Sequence, residues 1–204
     1  MTTNMKIAAN AATLLLAMAF LVQPAVAEGD AEAGEKLGYT CLGCHGIEGY
    51  RNAYPSYRVP KLGGQKAGYL VIALKGYRSG ERSHPTMQAQ ATSMSDQEIE
   101  DVAAYLASLG GDTVASGGSE APPLEAAAAC AACHGQNGIS MNAAWPTLAG
   151  QYESYLKHAL DQYRSGARKN AIMAAQAAII AEEDVALLAR YYANLNGLET
   201  TKVD

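Results

Sequence analysis

Two stretches of this chain are versions of one another, and that duplication limits the fold more than any other feature. Pro60-Lys61-Leu62-Gly63-Gly64-Gln65 reappears 86 positions later as Pro146-Thr147-Leu148-Ala149-Gly150-Gln151. The same offset carries Tyr69-Leu70 onto Tyr155-Leu156 and Tyr77-Arg78-Ser79-Gly80 onto Tyr163-Arg164-Ser165-Gly166. It also pairs Arg82 with Arg168, Met87 with Met173 and Tyr105 with Tyr191. A long internal repeat means two copies of one structural unit. Gly110 to Pro123 is rich in Gly and Ser and closes on two prolines, which reads as a linker. The expected division is a leader at 1–27, a domain at 28–109, the linker at 110–123 and a second domain at 124–204.

The apolar spacing within each unit is helical. Ser95-Asp96-Gln97-Glu98 is a capping-box pattern, followed by Ile99, Val102, Ala103 and Leu106 on one helical face. Gly110-Gly111 is expected to stop that helix. Unit two repeats the face with Val185, Leu188, Ala189 and Tyr192. No alternating strand pattern occurs, so the predicted class is all-α, each unit being helix, cysteine motif, irregular loop, helix, loop, helix.

All four cysteines fall in two Cys-x-x-Cys-His motifs, Cys41-Leu42-Gly43-Cys44-His45 and Cys130-Ala131-Ala132-Cys133-His134. This is the attachment signature of c-type haem. Two thiols one helical turn apart reach the two vinyl groups of one porphyrin, and the adjoining histidine meets the iron. A disulfide gives no reason for a histidine after both pairs. A zinc ribbon spaces its knuckles by roughly 15–20 residues, whereas 85 separate these. A thioredoxin-like pair wants a βαβ setting, which is absent. Two covalently attached haem groups are therefore expected, through Cys41, Cys44, Cys130 and Cys133, with His45 and His134 as proximal ligands. The motifs are offset by 89, so unit one has three extra residues between its histidine and its proline. They belong to a loop richer in Tyr and Arg than its partner, Tyr50 to Arg58, whose role is either plain packing or cover for the first haem edge.

The sixth ligand decides whether the iron is closed or open to chemistry. Met87 and Met173 coincide in the repeat, whereas Met94 aligns with Ile180 and Met141 has no counterpart. One methionine pair therefore serves both units. His84, aligned with Asn170, stands as a competitor in the first unit, and His158 reads as a partly exposed helix residue.

The N-terminus reads as an export signal: Lys6, an apolar stretch from Ile7 to Val22, then Ala25-Val26-Ala27 before the cut. That stretch is shorter than the ~20 residues of a spanning helix and is broken by polar residues. Removing it shifts the formal charge from -5 to -6, which excludes a nucleic-acid partner. The charge is uneven: seven basic residues lie between Arg51 and Arg82 against the single acid Glu81. Such asymmetry either is solvated surface or steers docking.

With its two haem motifs, Pro-x-Leu-x-Gly-Gln, Tyr-Arg-Ser-Gly-x-Arg and the methionine seven residues beyond that glycine, the mature chain resembles the diheme cytochrome c4 family. The resemblance implies two class I cytochrome c folds about a pseudo-two-fold axis, with irons ligated by His45 and Met87 and by His134 and Met173. It implies that the carbonyls of Pro60 and Pro146 orient the proximal imidazoles. It further implies a periplasmic electron shuttle, loosely associated with the membrane surface, between an upstream quinol-oxidising complex and a haem–copper terminal oxidase. The competing functions are the diheme subunit of, or acceptor from, a flavocytochrome sulfide dehydrogenase, and a diheme enzyme such as a peroxidase. The enzyme needs an iron with an open, His or Cys sixth position.

Overall fold

The computed structural model describes residues 29–110, 114 and 122–201. The expected export signal, with its cut after Ala27, and most of the linker lie outside the described residues. The first domain consists of α1 (Ala31–His45), α2 (Ala67–Ser79), α3 (Pro85–Thr92) and α4 (Asp96–Ser108). The second has a 3-10 turn (Glu125–Ala127), α5 (Ala128–His134), α6 (Glu153–Ser165), α7 (Ala171–Ile179) and α8 (Glu182–Ala193). Among the described residues there is no strand, only isolated bridges, so the all-α reading holds.

The predicted helical faces are the cores. Ile99, Val102 and Ala103 are fully buried in α4, as is Val185 in α8, with Leu106, Leu188, Ala189 and Tyr192 nearly so. Ser95 caps α4 as its sequence requires: its hydroxyl accepts from Glu98 N at 3.2 Å, and Ser95 N donates to the Glu98 carboxylate at 2.7 Å. Gly110 acts differently from expectation. Helix α4 ends at Leu109 without a left-handed cap, and a Cβ on Gly110 would lie 2.3 Å from Gly64 Cα. The glycine serves close approach of two backbones rather than helix termination.

The two first helices are unequal. In α1, Gly34 and Gly38 lie one turn apart and face α4, where a Cβ on Gly34 would meet Asp101 O at 2.0 Å. Those glycines let α1 and α4 cross at backbone distance. In the second domain, Pro123 stands where Gly34 would be, at the motif offset of 89. Helix α5 is cut to seven residues behind its 3-10 turn, because consecutive prolines remove the N–H donors a longer helix would use.

The domains meet face to face through contacts that occur twice. Gln65 Nε2 donates to Thr147 O at 3.0 Å and its Oε1 accepts from Thr147 N at 2.9 Å. Gln151 makes the mirrored pair with Lys61 O at 3.0 Å and Lys61 N at 2.9 Å. Arg82 and Arg168 form an antiparallel bridge, flanked by Ser83 N to Ala167 O at 3.2 Å and Lys169 N to Glu81 O at 2.8 Å. The repeat carries each of these contacts onto its mate, Gln65–Thr147 onto Gln151–Lys61 and Ser83–Ala167 onto Lys169–Glu81, so these contacts have pseudo-two-fold symmetry.

Candidate haem sites and the seam between them

Each Cys-x-x-Cys-His motif closes a helix, α1 or α5, so both thiols and the imidazole leave one helical turn together. The histidines are buried, and burial pushes both imidazoles below the usual histidine range. A neutral ring suits a metal ligand, which needs a free nitrogen lone pair. In each, Nδ1 donates to a proline carbonyl: His45 to Pro60 O at 2.7 Å and His134 to Pro146 O at 2.8 Å. That bond fixes the tautomer and ring plane, leaving Nε2 for the metal. Burial also raises the Cys41 and Cys130 thiols. This disfavours thiolate and so the chemistry of a redox-active or zinc-binding pair. Among the described residues no three His, Cys, Asp or Glu side chains converge as they would around a bare metal ion.

Met87 lies on α3 and packs against the core cluster that also holds Cys41, Leu70 and Leu74. Met173 occupies the matching third position of α7. The two helices start alike, on a side chain that accepts from the methionine's own N–H. His84 Nδ1 takes Met87 N at 3.2 Å, and Asn170 Oδ1 takes Met173 N at 2.9 Å. The other nitrogen of His84 faces the Asn52 amide at 3.1 Å, so both sides of that ring are engaged. His158, half-buried on α6, stacks on Tyr57 with ring centroids 4.0 Å apart.

The loop from Tyr50 to Arg58 packs mainly across the seam. Arg58 N donates to Ser154 Oγ at 3.0 Å, and Tyr57 lies against Tyr155 and His158 of the second domain. The loop also reaches back, through Asn52, to the cap of the methionine helix.

Structure also explains Tyr-Arg-Ser-Gly-x-Arg, whose meaning the sequence left blank. Its glycine, Gly80 or Gly166, ends α2 or α6 in the left-handed conformation (φ 79° and 75°). The first arginine ties the end of the methionine helix to the last helix. Arg78 donates to Met94 O and Asp96, and Arg164 to Ala177 O, Ile180 O and Glu182. The second arginine goes to the seam. Arg82 and Arg168 are buried there among Tyr69, Tyr77, Tyr155 and Tyr163, and neither has a carboxylate partner among the described residues.

That seam tests whether a haem fits. Arg168 donates to Tyr69 Oη at 2.6 Å, yet its Nε has no partner. Burial alone would raise the Tyr69 phenol, but Arg168 and Arg82 beside it bring it down to about 8. Burying an uncompensated cation costs several kcal/mol. A haem brings two carboxylates, and this unmet positive charge suits a group of that kind. Cys41, Cys44 and His45, with Cys130, Cys133 and His134, are the residues that would hold the two groups. Bound there, a haem supplies an iron that takes up and releases one electron. The chain supplies the buried imidazoles, each oriented by a proline carbonyl.

Comparison with known proteins agrees with this geometry. Residues 31–110 and 124–196 each match the cytochrome c family. A thiosulfate dehydrogenase electron acceptor of Stutzerimonas stutzeri (strain A1501) is 36% identical over 176 residues, covering 78% of this chain and 81% of that protein. Cytochrome c4 of Pseudomonas aeruginosa is 33% identical over 188 residues, covering 83% and 90%. The crystal structure of reduced recombinant cytochrome c4 from Pseudomonas stutzeri superposes with a TM-score of 0.64 at 30% identity, covering 82% of this chain and all of that one. The chain belongs to the cytochrome c family: a tandem of two such domains that carries two covalent haem c groups and transfers electrons rather than catalysing a reaction.

Proposed function

We propose that this protein is exported to the periplasm, loses its leader after Ala27, and shuttles electrons in a respiratory chain. His45 and Met87 hold the first iron and His134 and Met173 the second, in domains at 28–109 and 124–204 joined by the linker 110–123. Electrons arrive from a quinol-oxidising complex and leave to a haem–copper terminal oxidase, with loose association at the membrane surface.

The matched start of α3 and α7 carries this reading. Each methionine N–H is fixed by its capping side chain, at 3.2 Å from His84 and 2.9 Å from Asn170, so the methionines hold equivalent places in both domains. With both nitrogens of His84 engaged, Met87 is the better sixth ligand. Two closed irons favour transfer over catalysis, and so disfavour a diheme peroxidase.

A second donor has support of its own. One relative is called a thiosulfate dehydrogenase electron acceptor, and a dehydrogenase of that kind could take the place of the quinol-oxidising complex. The flavocytochrome sulfide dehydrogenase reading has less behind it, since the relative so named is similar over only 43% of this chain.

Spectroscopy on the purified protein tests the closed irons. The oxidised form should show the long-wavelength sulfur-to-iron charge-transfer band at full strength for two haems, and the reduced form should not bind carbon monoxide. Met87→Ala and Met173→Ala should each remove about half of the band and lower one potential. One haem avid for carbon monoxide in the unmodified protein would overturn the shuttle in favour of an enzyme or sensor.

A further inference from the structure

The glutamine and arginine contacts of the seam follow the repeat, but Tyr152 departs from it. Tyr152, at the start of α6, is buried in the second domain but spends its hydroxyl largely on the first. Its Oη accepts from Gly49 N at 3.0 Å, donates to the Glu48 carboxylate at 3.1 Å, and shares a 3.0 Å bond with Thr200 Oγ1. Those contacts use the full capacity of a phenol oxygen, one donor and two acceptor positions. Its ring face carries two cations of the first domain, with Arg58 5.1 Å and Lys61 4.9 Å from the centroid.

All four of these first-domain residues border the proximal histidine. Glu48 and Gly49 follow His45 closely, and Arg58 and Lys61 flank Pro60, whose carbonyl takes the His45 proton. The C-terminal segment adds to the hold. Glu199 N donates to Gly63 O at 3.3 Å, and Thr201 lies over Gly46 and Gly63, where a Cβ on either would come within 2.9 Å of it. In the other direction, among the described residues, Gly68 packs against the backbone of Ala143 in the His134 loop, but no phenol reaches that loop from the first domain. The repeat partner of Tyr152 is Lys66, whose ammonium has no comparable role, so the loop of His134 is held from across the seam by Gln65 alone of these two positions.

We propose that Tyr152 is a positioning residue for the first haem. From the second domain it clamps both flanks of the His45 loop, holds the His45–Pro60 hydrogen bond in place, and so separates the two reduction potentials. The proposal rests on the reading of His45 as proximal ligand. Its physical basis is that a proximal imidazole donating strongly to a carbonyl is a more basic ligand and favours the ferric state. Loosening the clamp weakens that bond at one haem only.

The test compares Tyr152→Phe and Thr200→Val with the unmodified diheme protein by redox titration and by proton NMR of the haem methyl and proximal Nδ1–H resonances. Phenylalanine keeps the ring beneath Arg58 and Lys61 and deletes the three hydroxyl contacts; valine deletes one of them and guards against a folding defect in the first variant. The expected result is a rise in the potential of the His45 haem, with faster exchange of its Nδ1 proton. The His134 haem should keep its potential and methyl shifts, and Thr200→Val should act in the same sense but less. Equal movement of both haems, or of neither, overturns the proposal and leaves the ligand assignment standing. Loss of the His45 resonances from the unmodified protein's proximal set would sink the ligand assignment and the proposal together.

Discussion

His84 and Asn170 show how one position is met by two chemistries. Both cap the helix that bears a methionine, and both do so by accepting that methionine's N–H. His84→Asn should therefore keep the fold and the full charge-transfer band, because it installs the cap the second domain already uses. His84→Ala should cost about 1 kcal/mol of stability through loss of the cap, read by denaturant unfolding. If His84→Asn instead abolished half of the band, His84 would be an iron ligand and Met87 would not. Sequence placed His84 and Asn170 in register but could not tell cap from ligand, since both roles ask for a nitrogen or oxygen near the methionine. Tyr152 was missed outright: no motif contains it, and its partners lie about 100 positions away.

At the scale of elements, the helices follow local rules that one pass along the chain can read. The Ser95–Glu98 capping box is formed as its four residues imply, and Ser95→Ala should lower stability by about 1 kcal/mol in thermal or denaturant unfolding. The crossing of α1 on α4 is not local. It depends on Gly34, whose Cβ would meet Asp101 O at 2.0 Å. Gly34→Val should force the helices apart and cost about 1–3 kcal/mol or more, the usual range for overpacking. A variant as stable as the parent by the same assay would show that the two helices can separate freely. The shortness of α5 was equally hidden: the repeat suggested like helices, but the prolines at its entrance, read only as linker, also trim the helix.

For the whole molecule, the seam decides whether two domains behave as one. Gln65 and Gln151 are nearly fully buried, and each spends its amide on the backbone of the other domain. Gln65→Ala strands a buried N–H and C=O at Thr147, which should cost about 1–3 kcal/mol. Calorimetry on the unmodified protein should show one cooperative transition, and the Gln65→Ala/Gln151→Ala double variant should split it into two. Two transitions in the parent would mean that the seam does not couple the halves.

What the sequence determined by itself is whatever repeats or lies close along the chain. The helical class, the two attachment motifs, the histidine beside each and the single methionine pair all follow from spacings of a few residues or from one offset. The tertiary structure decided what the repeated glutamines and arginines are for, since their partners are 82 to 99 positions away and belong to the other copy. It also decided that two similar halves are not equivalent. A duplicated sequence predicts a symmetric pair, but Tyr152 of one half has Lys66 as its counterpart in the other. The physical reason is that the copies differ where no shared core residue fixes them: Lys66 stands where the second copy has Tyr152, so only that copy offers a phenol to the histidine loop of the other.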